Sequence, residues 1–350
     1  MNNLDKQYIE LINHVLETGY RSGDRTGTGT IKTFGNLLSH DMQEGFPLLT
    51  TKKMFTKGII HELLWFLKGD TNIKYLVDNN VYIWVGDCYK KYKEFANSLE
   101  EPDYFVHVDD PNQNCTRIMT EQEFIEAIKT NDAFAAKFGE LNKVYGAEWT
   151  NWEEHINQIQ ELIDTLKTNP DSRRMLVTAW NPTNVRNAVL PPCHTHWQVF
   201  TRELSLEERI EIYGIEKINK NDNGYYEHSY AELILNSANI PTREISLMFN
   251  MRSVDVGLGL PFDIASYGFL LSMIAAQVNM KVGELKFILA DTHIYVNQID
   301  GLKEQVTREP MQLPKLKLNP EVKSIFDYTF DDIEIIDYVS HDKIFLPLSN

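Results

Sequence analysis

Cys193 follows two prolines in Pro191-Pro192-Cys193-His194, at the end of an apolar segment. Proline rigidifies the approach to the thiol, and a positioned thiolate is a strong carbon nucleophile once nearby guanidiniums lower its pKa. Read alone, a Cys-His pair is more often a buried small hydrophobe. Asp171-Ser172-Arg173-Arg174 follows a helix stop at Asn169-Pro170. Its two guanidiniums are phosphate forks if they face one site, and a solvated pair otherwise. Arg25 sits in Asp24-Arg25-Thr26-Gly27-Thr28-Gly29-Thr30, whose hydroxyls and backbone donors suit an anion. That loop lacks the Gly-Lys-Ser/Thr ending of a nucleotide P-loop. His61-Glu62-Leu63-Leu64-Trp65 begins like a zinc-protease helix but ends in Trp, so the metal reading fails and no metal site is expected. Glu62 instead stands among Leu, Trp and Phe, where burial raises a carboxyl pKa. Asp291-Thr292-His293-Ile294-Tyr295 places His293 and Tyr295 two apart on one strand face, able to bond a sugar hydroxyl together or to form an ordinary half-buried strand.

These groups need a large scaffold, and 350 residues, 43% hydrophobic and 11% aromatic, can bury one. A formal charge of −16 repels phosphate backbones, which argues against nucleic acid as a partner. Three cysteines, Cys88, Cys115 and Cys193, form no disulfide framework and fit a reducing, cytoplasmic setting. The first residues lack the n- and h-regions of a signal peptide, and the apolar run Tyr267 to Val278 is too short to span a bilayer, so no membrane association is expected. Apolar spacing predicts helices over residues 4 to 20, 59 to 67 and 157 to 167, and after Pro261. Residues 175 to 180, 197 to 201, 245 to 250 and 285 to 289 read as strands, with further short strands from 315 to 336. Two charged insertions, about 90–139 (small and helical) and 203–243 (with a turn at Asn221-Asp222-Asn223-Gly224), interrupt a single α+β domain spanning 1–350.

Each motif is ambiguous alone, but their joint order is not. The Arg25 loop, the Glu62 helix, Ile83-Trp84, Val144-Tyr145-Gly146, Ser172-Arg173-Arg174, Pro192-Cys193-His194, Arg252-Ser253-Val254-Asp255, Gly259-Leu260-Pro261-Phe262 and Asp291-Thr292-His293-Ile294-Tyr295 together resemble thymidylate synthases. The resemblance runs from about residue 8 to the last residue, outside 203–243. It implies a mixed sheet packed by helices, with methylenetetrahydrofolate as co-substrate. Cys193 would attack C6 of a pyrimidine nucleoside monophosphate, Glu62 would manage protons through water, and Tyr145 would assist loss of the C5 proton. Arg25, Arg252 and Ser253 would hold the phosphate together with Arg173 and Arg174 of a partner subunit, so a homodimer is implied. His293 and Tyr295 would hold the sugar 3′-hydroxyl. Ile83, Trp84, Leu190, Asp255, Gly259 and Phe262 would line the folate site. The chain departs from the family at Asp87, where many members carry a second tryptophan, at Met251, where glutamine is common, and at its polar last residue, Asn350.

The most consequential departure is Asp263, where the family carries asparagine. Uracil presents an N3–H donor and an O4 acceptor, which an amide matches. Cytosine presents an N3 acceptor and an N4 donor, and each buried orphan would cost about 1 to 3 kcal/mol. A carboxyl sharing one proton with N3 and accepting from the N4 amine satisfies both. The competing reading is that Asp263 caps a helix starting at Ile264. Asp263 therefore points to dCMP or CMP as substrate, and the altered chain end, which in the family closes over the folate and excludes water, points to water as the quencher and so to C5 hydroxymethylation. The alternatives are a thymidylate synthase acting on dUMP, a dCMP methylase, and a non-catalytic nucleotide- or RNA-binding relic. No residue visibly gates a ribose 2′-hydroxyl.

Overall fold

The computed structural model describes residues 2–98, 106–110, 113–214 and 228–349. The turn expected at 221 to 224 and Asn350 lie outside them. Helix α1 (Asn3–Thr18) starts at Asn2, whose side chain accepts from the Asp5 backbone N–H, and buries Leu4, Tyr8, Ile12 and Val15. It leads into strands β1 (Tyr20–Ser22) and β2 (Thr30–Asp41), joined through the Arg25 loop. Helix α2 (Thr56–Leu67) is apolar nearly all round and accordingly buried. It is followed by α3 (Lys74–Asp78) and α4 (Val85–Asn97). The first insertion is not purely helical: a hairpin, β3 (Val106–Asp110) with β4 (Gln113–Arg117), precedes α5 (Glu121–Thr130) and α6 (Asp132–Phe138). Its β-strands lie in a polar stretch with weak period-2 alternation, so periodicity could not reveal them.

Helices α7 (Tyr145–Thr150) and α8 (Gln158–Thr168) then approach β5 (Leu176–Thr178), followed by β6 (His194–Glu203). Strand β5 is shorter than the expected 175 to 180, because Ala179 and Trp180 both turn their N–H groups to Thr195 O. The second insertion contributes α9 (Leu206–Tyr213) and α10 (His228–Ser237), which close a small cluster of Ile210, Ala231 and Leu235. Strand β7 (Arg243–Asp255), helix α11 (Gly259–Val278), strand β8 (Lys281–Tyr295), helix α12 (Ile299–Gln305) and the hairpin β9 (Lys315–Leu318) with β10 (Ile333–Ile336) complete the chain.

Six strands form one mixed sheet in the order β1-β2-β8-β7-β6-β5. All neighbours are antiparallel except β7 and β8, whose parallel pairing requires the crossover that α11 supplies. Ile245, Leu247 and Phe249 on β7 and Leu285, Phe287 and Leu289 on β8 alternate into the core beneath α11, each such burial being worth about 1.5–3 kcal/mol. The opposite face carries Leu37, Leu176, Phe200 and Ile288, with Leu37 and Phe200 each 66% exposed. Helix α11 is long and apolar enough to cross a membrane, but it is mostly buried inside the molecule. It starts at Gly259, ahead of the expected start after Pro261. Proline is tolerated in a first helical turn, where N–H groups have no intrahelical partner.

Candidate active site

The C-terminal end of β7, the start of α11, the Arg25 loop, α2 and the last residues of the chain enclose one cavity of about 760 Å³. On its wall lie Arg25, Glu62, Ile83, Trp84, Leu190, Cys193, Arg252, Ser253, Asp255, Gly259, Phe262, Asp263, His293 and Tyr295. Tyr145 stands behind Cys193, where its hydroxyl accepts from the Cys193 backbone N–H at 2.6 Å. Arg173 and Arg174 are not brought to this cavity. Both are exposed, and Arg174 borders a separate hollow with Trp152 and Leu162.

Cys193 is fixed from three sides. Its carbonyl accepts from the Arg252 backbone N–H at 2.8 Å, and the Arg252 guanidinium donates to the carbonyls of Pro192 and Pro191, each at 2.7 Å. Those contacts tie β7 to the Pro-Pro segment and hold a cation beside the thiol. Sequence reasoning expected guanidiniums to lower the thiol pKa. Within one chain the balance runs the other way: burial pushes the thiol up, and Arg252 and a hydrogen bond from Tyr145 only partly oppose burial and the Asp263 charge.

Two carboxyl groups share this wall. Glu62 accepts from Trp84 Nε1 at 2.8 Å, and burial raises it to about 7. Asp263 lies in the second turn of α11, and burial, with Glu62 and Asp255 adding repulsion, holds it far above the usual carboxylate range. The helix-cap reading fails, because the N-cap is Leu258 and Asp263 is too far along the helix to serve its free N–H groups. Asp255 is the residue that serves local donors there, accepting from the N–H groups of Gly257 and Leu258 at 2.9 and 3.2 Å. Burial also lowers Lys52, which donates to Gly257 O, to about 8, with Asp255 opposing that shift.

Behind Asp263 lie two residues that the sequence reading did not assign. His194 Nε2 is 3.5 Å from Asp263 Oδ1, and its Nδ1 is 2.8 Å from the Tyr267 hydroxyl. The Tyr145 ring stacks on the imidazole at a 3.9 Å centroid separation, and burial depresses His194 to about 3. The imidazole is therefore neutral, so its contact with Asp263 is not an ion pair. The signal available was only that His194 adjoins Cys193, and that Tyr267 falls one helical turn after Asp263.

The Arg25 loop is shaped by Asp24. One carboxyl oxygen accepts from the Thr26 N–H and hydroxyl and the other from the Gly29 N–H, while Gly27 and Gly29 take φ values of 76° and 84° that favour glycine. Lys32, Asp87 and Asp291 add charge to the same cavity. At its mouth Leu348 and Ser349 reach the wall, while Gln298 Nε2 donates to Pro347 O at 3.1 Å and Asn297 Nδ2 to Ser349 Oγ at 3.2 Å. Apolar Ile83, Trp84, Leu190 and Phe262 provide a surface for a planar ring, and the thiol and the buried acids line the same cavity. Among the described residues no His, Cys, Asp and Glu cluster is arranged to hold a metal. The donor set favours covalent addition to an electron-poor carbon with local proton management.

Comparison with known proteins carries this further. The family model described as Thymidylate synthase matches residues 6–350. The chain is similar to a thymidylate synthase of Mesoplasma florum, 42% identical over 97% of this chain and 98% of the relative. It is also similar to one of Leuconostoc mesenteroides, 39% identical over the whole of both chains, and to one of Listeria monocytogenes, 37% identical over 98% and 99%. With a mixed sheet, a cysteine-centred cavity and a match along nearly its full length, the chain belongs to the thymidylate synthase family, enzymes of folate-dependent one-carbon transfer to C5 that use methylenetetrahydrofolate as co-substrate.

Proposed function

We propose that this enzyme acts on a cytidine monophosphate, dCMP or CMP, and forms its 5-hydroxymethyl derivative. The polar chain end at Asn350 supports water as the quencher, and the observation that carries the choice of base is Asp263, a carboxyl that burial holds toward its protonated form and that lines the same cavity as Cys193. Its O–H donates to cytosine N3 while its other oxygen accepts from the N4 amine. Shifting that proton toward N3 withdraws electrons from C6, where the Cys193 thiolate adds. An asparagine amide could turn to match cytosine but has no such proton to give.

Addition at C6 makes C5 nucleophilic toward the methylene of methylenetetrahydrofolate. Loss of the C5 proton, assisted by Tyr145, and departure of tetrahydrofolate leave an exocyclic methylene. Water adds there, its proton passing through the solvent network at Glu62, and the Cys193–C6 bond breaks to release product. One water is consumed and tetrahydrofolate is released unoxidised. In this reading Ile83, Trp84, Leu190, Asp255, Gly259 and Phe262 hold the folate, and His293 and Tyr295 hold the sugar. Arg25, Arg252 and Ser253 bind the phosphate with the partner's Arg173 and Arg174. The cations on the cavity wall support that supply: they are Arg25, Lys32 and Arg252, and Lys32 is already paired with Asp291. A phosphate dianion needs further cations.

A second reading, conversion of dUMP to dTMP, is favoured by the names of the three relatives given above, each a thymidylate synthase. A neutral carboxyl can also present its carbonyl to N3–H and its O–H to O4 of uracil. Mass analysis of products from dCMP, CMP and dUMP with methylenetetrahydrofolate decides. We expect a hydroxymethylcytidylate with tetrahydrofolate, and Asp263→Asn should shift preference toward dUMP by about 10²-fold or more. Thymidylate with dihydrofolate from the parent enzyme would overturn the proposal, and a cytidylate methyl product would overturn its hydroxymethyl part. No turnover of any of the three would favour a non-catalytic binding role.

A further inference from the structure

Lys32 lies on β2 directly opposite His293 on β8, and both side chains reach the cavity. Asp291, two residues before His293 on the same strand, joins them. Lys32 Nζ is 3.3 Å from Asp291 Oδ2, and Asp291 Oδ1 is 3.3 Å from His293 Nδ1. His293 Nδ1 also faces the Asp291 carbonyl oxygen at 3.3 Å. Both partners of Nδ1 are acceptors, so the hydrogen of the neutral ring belongs on Nδ1, which leaves Nε2 as an acceptor. The Tyr295 ring stands edge-on to His293 with centroids 5.3 Å apart.

We infer that Lys32 is a positioning residue for the nucleotide sugar: by pinning the Asp291 carboxylate it fixes the His293 tautomer, so that Nε2 accepts from the 3′-hydroxyl while Tyr295 donates to it. The inference rests on the reading that His293 and Tyr295 hold that hydroxyl. Without Lys32 the carboxylate, 42% exposed, is free to turn toward solvent, and Nδ1 keeps only the backbone carbonyl. The ring then populates the other tautomer, whose Nε2–H cannot accept from the sugar.

The test uses the full-length enzyme with whichever of dCMP, CMP or dUMP it turns over, and with the 3′-deoxy form of that nucleotide. The parent should bind the 3′-deoxy form at least about tenfold more weakly, the loss expected for a buried partner left unpaired. Lys32→Met should raise KM for the normal nucleotide about three- to tenfold, the effect falling on KM rather than kcat, and should shrink the 3′-deoxy penalty by the same factor. Lys32→Arg should restore both. Nitrogen NMR of His293 should show the hydrogen on Nδ1 in the parent and a tautomer mixture in Lys32→Met. A Lys32→Met enzyme that keeps the full 3′-deoxy penalty and the parental tautomer would overturn the role of Lys32 while leaving the sugar reading intact. A parent with no 3′-deoxy penalty would overturn the sugar reading itself, and this inference with it.

Discussion

Glu62 and Asp263 are acids that the fold keeps from ionising at the pH where most carboxyl groups are charged, and that has a measurable consequence for stability. Glu62 rises from 4.5 to about 7 through burial, so the native state binds its proton more tightly than the unfolded chain does. Its stabilising contribution is complete below pH 4.5 and is lost as pH rises through 7, a swing of at most about 3 kcal/mol. Glu62→Gln cannot ionise, and its amide oxygen can still accept from Trp84 Nε1. Denaturation measured from pH 4 to 8 should show the parent losing stability relative to this variant across that window. Identical pH profiles would mean that Glu62 is solvated. Burial raises Asp263 in the same direction, so Asp263→Asn should also stabilise the unliganded protein at neutral pH. Cys193 differs in kind. In the proposed mechanism Cys193→Ala removes the group that attacks C6 and should lower turnover by about 10⁴-fold or more, while equilibrium binding of nucleotide persists because Arg25 and Arg252 remain.

Helix α7 shows how closely the elements must approach for these side chains to meet. A Cβ on Gly146 would lie 2.1 Å from Phe66 O and 2.5 Å from Phe66 Cα, so α7 rests on the backbone of α2 at that point. Gly146→Ala must push the two helices apart, at a cost of about 1–3 kcal/mol, and must displace Tyr145, which anchors the Cys193 backbone. We expect a lower melting temperature together with reduced kcat; an unchanged kcat would separate Tyr145 from the catalytic geometry. What the sequence revealed follows the same division. Helices α1 and α8 and parts of β5 to β8 were legible because their apolar periods face one core, and α2 because its run is continuously apolar; β1 and β2 were missed, their stretch being rich in Thr, Ser, Asn and Gly. The hairpin of β3 and β4 was not legible, because its residues are polar, and neither was the start of α11, because Pro261 reads as a boundary although it falls inside the first turn. Residues with distinctive chemistry in ordered motifs, such as Cys193 and His293, stood out. Lys32, Tyr267 and Leu348 did not, because each becomes part of the site only through strand register, a helical turn or the return of the chain end.

At the scale of the whole molecule, one chain exposes an apolar sheet face, and on the proposed reading its phosphate site needs a partner's arginines. Leu37, Leu176, Phe200 and Ile288 lie on the side of the sheet away from the helices, where water contact with apolar surface disfavours the isolated chain. The cations on the cavity wall are Arg25, Lys32 and Arg252, with Lys32 already paired with Asp291, while Arg173 and Arg174 project elsewhere with no role in their own protomer's cavity. Members of this family are generally dimeric, and an isologous pairing of sheet faces would cover the apolar patch and let each protomer's arginines serve the other's phosphate. Mixing two inactive proteins tests the exchange. In a heterodimer of Cys193→Ala with Arg173→Ala, one site lacks both groups. The other combines an intact cysteine with an arginine from the neighbouring protomer. After complete subunit exchange at equal concentrations, half the dimers are mixed and one site in each is whole, so about a quarter of parental activity should return. If the arginine instead serves its own protomer, every site in the mixture lacks one essential group, and activity stays at the level of the separate variants even when exchange has been demonstrated.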